Sequence, residues 1–266
     1  MTKNRIQLKN GVLDIETLEF FKGLIVEESL TTIPVTYDPS CECKNFESFL
    51  TDVIPDKIDR GTIMEFFGYC LLKEHICDVI VLCVGKGRNG KSILLEALKK
   101  FVGVDNVATL LPRQIENSRW AFAQLFDKLV NISADIIVGQ FRRPEIIKEL
   151  TSGNTIRADR RNNSPIDFVN YAKFIFSTNM LPMTEDDTTG VYRHFRIIDF
   201  PNQFFPEDEK HIQRDILISN LTTEKELSGI LNLALQGLKR LKKNGSLSGS
   251  NNTGYSKYKN EVNLNE

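Results

Sequence analysis

Between the apolar run Val79–Val84 and a stretch with apolar residues at Ile93, Leu94, Leu95, Ala97 and Leu98 lies Gly85-Lys86-Gly87-Arg88-Asn89-Gly90-Lys91-Ser92. This segment fits G-x-x-x-x-G-K-[S/T], and its residue types meet the needs of a polyphosphate. Gly85, Gly87 and Gly90 permit a tight turn whose successive N–H groups point at one anion. The helix that follows directs its positive end at the same oxygens. Lys91 would neutralise the β- and γ-phosphates, and the Ser92 hydroxyl would ligate magnesium. A bound nucleoside triphosphate with Mg2+ is the expectation.

Hydrolysis needs more than a loop. An acid at the end of a neighbouring strand must hold the metal or polarise water. Asp135 closes the strand-like run Leu129–Ala134. Alone, such an aspartate is usually a cap or turn residue; paired with the loop, the functional reading is favoured. Asn179 closes another run, Lys173–Thr178. Its amide either orients the attacking water or simply makes a turn before Leu181-Pro182.

Arginines supply a second kind of chemistry. Arg157, Arg160 and Arg161 flank Asn162-Asn163-Ser164, which is turn chemistry between strand-capable segments. Guanidinium groups near a hairpin tip can grip a phosphate backbone without reading bases, or can belong to a solvated surface hairpin. Arg193 and Arg196 lie just before and within the run Phe195–Phe200. Either they pair with acids of their own subunit, or one reaches a neighbour's nucleotide as an arginine finger.

The elements that must position these residues read as an α/β fold. Strands are expected at 79–84, 106–111, 128–134, 172–178 and 195–200, with helices between them, which argues for a mainly parallel sheet covered on both faces. Residues 1–60 read as a separate small α+β region, with a hairpin at Asn10-Gly11 and Phe46, Phe49 and Leu50 at helical spacing. Residues 61–205 form the core and 206–244 a helical segment. Residues 245–266 are rich in Gly, Ser and Asn and read as a flexible tail. The chain has 266 residues, 41 % hydrophobic and 26 % charged, with formal net charge −1, an ordinary globular balance that leaves nucleic-acid binding to local clusters of cations. Of five scattered cysteines, three sit among apolar neighbours and suit free buried thiols, and Cys41-Glu42-Cys43 has no second ligand pair at zinc-finger spacing. No run reaches membrane-spanning length and no signal-peptide core is present, so the expectation is a cytoplasmic protein without membrane contact.

Taken in order, G-x-G-x-N-G-K-S, the strand ending Ala134-Asp135, Lys148–Asn154, the basic hairpin, Phe176–Pro182 and Arg193-x-x-Arg196-Ile-Ile-x-Phe200 resemble superfamily three helicases. The similarity is to the helicase half of phage, plasmid and poxvirus primase-helicases and spans residues 8 to about 243. The resemblance implies a P-loop core of the AAA+ type, assembled as a hexameric ring that holds ATP and Mg2+ between subunits and moves single-stranded DNA in replication of a mobile element. It implies that Gly85, Gly87, Asn89, Gly90, Lys91 and Ser92 bind nucleotide, with Ser92 and Asp135 on the metal. Lys91, Asp135, Asn179 and Arg193 become the catalytic set, Arg196 a second interfacial cation, and Arg157, Arg160 and Arg161 the DNA-binding arginines. Many relatives carry a second acid where Ala134 stands, leaving Glu96 and Asp78 as further acids considered for activating water. A primase or primase-polymerase domain is an expected partner. An ATP-gated initiator or loader that binds DNA without unwinding shares every nucleotide residue. A small-molecule kinase needs only the loop and leaves the hairpin and late arginines unexplained.

Overall fold

A computed structural model describes residues 5–25, 31–134, 136, 144–160, 163–180, 194–208 and 212–249. The chain opens with β1 (Arg5–Leu8), β2 (Gly11–Asp14), β3 (Phe20–Lys22) and β4 (Thr31–Thr32), ordered β3-β2-β1-β4. The expected hairpin forms one residue earlier than read, because Leu8 pairs with Gly11 and leaves Lys9-Asn10 as the turn. Asn10 ties that turn to a distant loop, donating to Tyr37 O (2.8 Å) and accepting from Tyr37 N–H (2.9 Å). Helix α1 (Lys44–Val53) then buries Phe46, Phe49, Leu50 and Val53, and α2 (Lys57–Tyr69) starts on the Asp56 carboxylate, which accepts from two first-turn N–H groups.

Next come β5 (Ile80–Val84), α3 (Lys91–Val102), β6 (Val107–Ala108), α4 (Pro112–Asn117), α5 (Arg119–Phe122) and β7 (Val130–Ser133). Helix α6 (Pro144–Thr151), the antiparallel hairpin β8 (Thr155–Arg160)–β9 (Asn163–Val169), β10 (Lys173–Thr178) and β11 (Phe195–Asp199) follow, then α7 (Arg214–Leu221) and α8 (Glu224–Asn244). The main sheet runs β11-β5-β10-β7-β6 with every neighbour parallel. All five expected strands are present, each trimmed at one or both ends.

Both faces of the sheet are buried, so its strands read as apolar runs rather than alternating ones. Val81 and Cys83 join Ile175 and Ile198 in a core shared with α1, α2, α3 and α8. Ile80, Leu82, Phe174 and Phe176 face the opposite core, which contains Phe122 of α5, Ile146 of α6 and Ile156 of β8. The N-terminal sheet contributes Ile6, Leu8 and Leu13 to the first of these cores. The boundary expected at residue 60 thus falls inside α2 and within continuous packing.

The flexible segment expected from residue 245 does not begin there. Gly245 ends α8 with left-handed backbone (φ 70°), turning the chain back onto α2. Leu247 is buried, Thr62 donates to Ser248 O (3.0 Å), and the buried Glu65 carboxylate accepts from Ser248 N–H and Oγ–H (2.7 Å each) and from Arg240 Nε (3.2 Å). Polar groups this far from water need such partners, and these lie about 180 residues apart in the chain.

Helices α2 and α8 meet almost backbone to backbone. A Cβ on Gly68 would lie 2.2 Å from Ala234 O, and one on Gly237 2.4 Å from Met64 O. Helix propensity favours Gly68→Ala by about 1 kcal/mol, whereas overpacking costs up to about 3 kcal/mol and here acts on backbone that cannot bend away. Gly68→Ala should therefore lower the unfolding free energy by about 1–2 kcal/mol in urea titration; unchanged or higher stability would contradict this packing.

Candidate functional site

The glycine loop joins the C-terminal end of β5 to α3, and its conformation follows from its residues. Gly85 is closed in on its side-chain direction: a Cβ there would lie 2.1 Å from Asn89 Nδ2 and 2.5 Å from Phe200 O. Gly87 (φ 95°), Arg88 (φ 51°) and Gly90 (φ 86°) are left-handed, which curls the backbone into a concave nest of N–H groups ahead of α3. Asn89 is buried and donates to Phe200 O (3.3 Å), tying the loop to the residue after β11.

Lys91 is only 4 % exposed. Its ammonium donates to Gly85 O, to Asn89 Oδ1 (3.0 Å) and to Asn179 Oδ1 (3.4 Å). A buried ammonium without such partners would be costly. Asn179 reaches it because β10 lies directly beside β5, with Thr178 opposite Val84 and Gly85 N–H donating to Thr178 O (3.2 Å). The donor set, a nest of N–H groups with a lysine at its centre and the Ser92 hydroxyl at its exposed rim, fits an anionic polyphosphate.

A cavity of about 790 Å³ opens from the loop. One wall is Asn45, Ser48, Phe49 and Asp52 of α1; another is Arg214, Leu217 and Asn220 of α7. Sequence reading missed both walls. The α1 residues recur at i, i+3, i+4 and i+7, a stripe beside the buried Phe46, Leu50 and Val53 that marks a second helix face. Nothing around Arg214 signals its place.

The remaining candidates divide. Asp135, Arg161 and Arg193 lie outside the described residues. Ile136, which follows Asp135, is described: its N–H donates to Ser177 O (2.9 Å) and its carbonyl accepts from Thr178 Oγ1 (3.0 Å), so the chain after β7 is tied to the end of β10. The strand expected to neighbour β5 is therefore one place farther away, with β10 between them. Asp78 sits two residues before β5, about 23 Å of extended chain from the loop, which removes it from the acids that can meet a phosphate there. The hairpin leaves the sheet at that same far end, since β9 stops three residues before β10 begins. On it, Arg157 pairs in register with Asp167, and Arg160 lies 5.6 Å above the Phe126 ring after a register shift at Ala158.

Arg196 requires correction. The expected interfacial cation is 5 % exposed and turned into its own subunit, donating to Leu247 O (2.9 Å) and Gly249 O (3.0 Å). Burial pulls its pKa below the usual arginine value, opposed by nearby Cys77, Glu65 and Asp59. It fastens the segment after α8 to β11 and touches no part of the loop's cavity.

Comparison with known proteins agrees with this picture at the level of fold and relatives. Residues 1–55 match a family model described as D5 N terminal like, and residues 83–194 match a family of unknown function (DUF5906). Over 223 residues the chain is 29 % identical to a protein of Acanthamoeba polyphaga mimivirus provisionally named helicase L207/L206, covering 77 % of this chain and 22 % of the relative. It is 24 % identical over 220 residues to a protein of Invertebrate iridescent virus 3 provisionally named helicase 121R, covering 77 % and 23 %. The chain is similar to viral proteins named as helicases. It spans less than a quarter of their length. Among solved structures it resembles the apo NrS-1 C-terminal region, with TM-score 0.58 and 18 % identity over 88 % of this chain and 55 % of that one. A second apo structure of that region gives TM-score 0.56 and 19 % identity over 75 % and 49 %. That likeness shows a shared α/β fold with a helix-flanked parallel sheet. Among the described residues, no helix is long and apolar enough to cross a membrane.

The correction at Arg196 has a measurable consequence. Arg196→Ala should lower the unfolding free energy by about 2 kcal/mol, because the buried Leu247 carbonyl and the half-buried Gly249 carbonyl lose a charged donor. Nucleotide affinity of the folded fraction should stay within twofold, as checked by urea titration beside binding of a fluorescent nucleotide; lost affinity at unchanged stability would return Arg196 to the nucleotide.

Proposed function

We propose that this chain is the motor of an ATP-dependent DNA helicase with an AAA+ type core, working as a ring of identical subunits on single-stranded DNA. The observation that carries the reading is the meeting of Lys91 and Asn179 at the C-terminal edge of a parallel sheet, where open α/β sheets bind ligands. A glycine turn serving structure alone has no use for a buried lysine held against a second strand's amide.

The residues divide the work as follows. Lys91 and the loop N–H groups bind the phosphates of ATP, and Ser92 with Asp135 holds Mg2+. When bound, the magnesium nucleotide supplies the phosphoanhydride bond whose hydrolysis drives movement. Asn179 orients water for that hydrolysis, and Lys91 exchanges its oxygen partners for phosphate oxygens without leaving the loop. Arg193 acts on a neighbour's nucleotide as a finger. Arg157, Arg160 and Arg161 contact the DNA backbone, a role that weakens steeply with salt. The names and lengths of the viral relatives support a place within a larger replication protein or assembly, in which a primase or primase-polymerase is the natural companion.

Two measurements test this. Single-stranded DNA should stimulate ATP hydrolysis, and a forked duplex should be unwound; hydrolysis and DNA binding without strand displacement would leave an initiator or loader. Arg193→Ala should lower hydrolysis by about 10³-fold or more, as for other arginine fingers, while ATP affinity stays within a few-fold. Loss of ATP binding in folded protein would place Arg193 inside its own subunit's site.

A further inference from the structure

We propose that Trp120 and Phe126, with the Arg160 guanidinium, form a base-stacking platform for single-stranded DNA on the face beside the hairpin. This rests on the reading of the hairpin as a nucleic-acid contact and adds to it groups from a different part of the chain, which grip bases rather than phosphates.

The platform arises from how α5 packs. Ala121 and Phe122 turn inward to join Ile156 and Ala158 of β8 in the core. That orientation leaves the preceding Arg119 and Trp120 outside, with Trp120 52 % exposed. A few residues later Phe126 is 44 % exposed. The Phe168 ring of β9 meets it edge-on at 5.3 Å and 88°, and Arg160 lies over it at 5.6 Å. The stretch 119–126 thus packs on the arginine-bearing hairpin through Ala121, Phe122 and Phe126 and carries two exposed aromatic rings, Trp120 and Phe126.

Large aromatics are normally withdrawn from water, and an exposed pair interleaved with guanidinium groups has a specific use. Every base presents a π-face, so aromatic rings and arginine planes hold single strands without reading sequence. The charge pattern favours this occupant over a protein surface: Arg119 and Arg160 accompany the rings in place of a continuous aliphatic patch. Beside α5 a cavity of about 380 Å³ is lined by Arg119, Arg157, Asn117 and Ser118, with Glu116 and Glu149 also present. Its donors suit the sugar-phosphate backbone running past stacked bases.

Trp120 is the only tryptophan in the chain, so its emission reports on this place alone. The protein is titrated, in low salt with a non-hydrolysable ATP analogue, with a labelled oligo-dT and with an abasic strand of equal length. Binding is followed by anisotropy and stacking by Trp120 emission. The expected result is that oligo-dT quenches the emission in step with binding and binds about tenfold or more tightly than the abasic strand, the size of one stacked base. The abasic strand leaves emission unchanged. Trp120→Ala should remove most of that difference without altering abasic affinity, Trp120→Phe should restore much of it, and Phe126→Ala should reduce it. Equal affinity for both strands, or oligo-dT binding with unquenched emission and an unaltered ratio in Trp120→Ala, overturns the platform and leaves the hairpin contact standing. Failure of both strands to bind overturns the nucleic-acid reading and the platform with it.

Discussion

A buried ammonium governs this site. Lys91 has left water, and three oxygens hold it: a carbonyl and an amide of its own loop, and the Asn179 amide from another strand. The first two follow from local loop geometry. The third requires β10 to lie beside β5 in parallel register, which in turn requires the crossovers that bury both sheet faces. The sheet order is thus tied to the chemistry at the loop: moving β10 away would leave the lysine short of a partner and the loop without its cross-strand contact.

The same strand is fixed at its other end by a second buried lysine. Lys173, at the start of β10, donates to Leu72 O and to Tyr171 O (2.8 Å), and lies 4.7 Å from the centre of the Tyr69 ring. Desolvation holds its pKa down to about 7. One end of β10 is therefore bound to the segment after α2 and continues from the hairpin, and the other touches the phosphate loop. On the proposed reading, a change in what Lys91 holds is felt by Asn179 and transmitted along a strand that packing does not allow to bend. This gives the loop and the hairpin a physical link although they lie at opposite ends of the sheet.

What could be read in the residues was whatever is local. The loop, its flanking strand and helix, the five sheet strands and the hairpin at 155–169 each carry their signal within a short window, because apolar runs and turn residues act over a few positions. Asn179 was legible as a candidate, but its contact with Lys91 was not, since 88 residues separate them. Arg196 was misassigned for the same reason. Its partners Leu247 and Gly249 sit in a stretch whose composition reads as a flexible tail, and only the fold brings that stretch to β11. Residues 1–60 share a core with the rest of the chain because α1 is amphipathic toward two neighbours at once, giving Phe46 and Leu50 to the core and Asn45, Ser48 and Asp52 to the cavity wall.

Hydrolysis shared between subunits is the central claim, because the finger role proposed for Arg193 needs a neighbouring copy of the chain. The most direct test is the mass of the particle, by light scattering or native mass spectrometry, with a non-hydrolysable ATP analogue and single-stranded DNA. The account predicts a closed assembly of six copies that forms only with nucleotide and outside which ATP turnover is negligible. A monomer that hydrolyses ATP at full rate would contradict it.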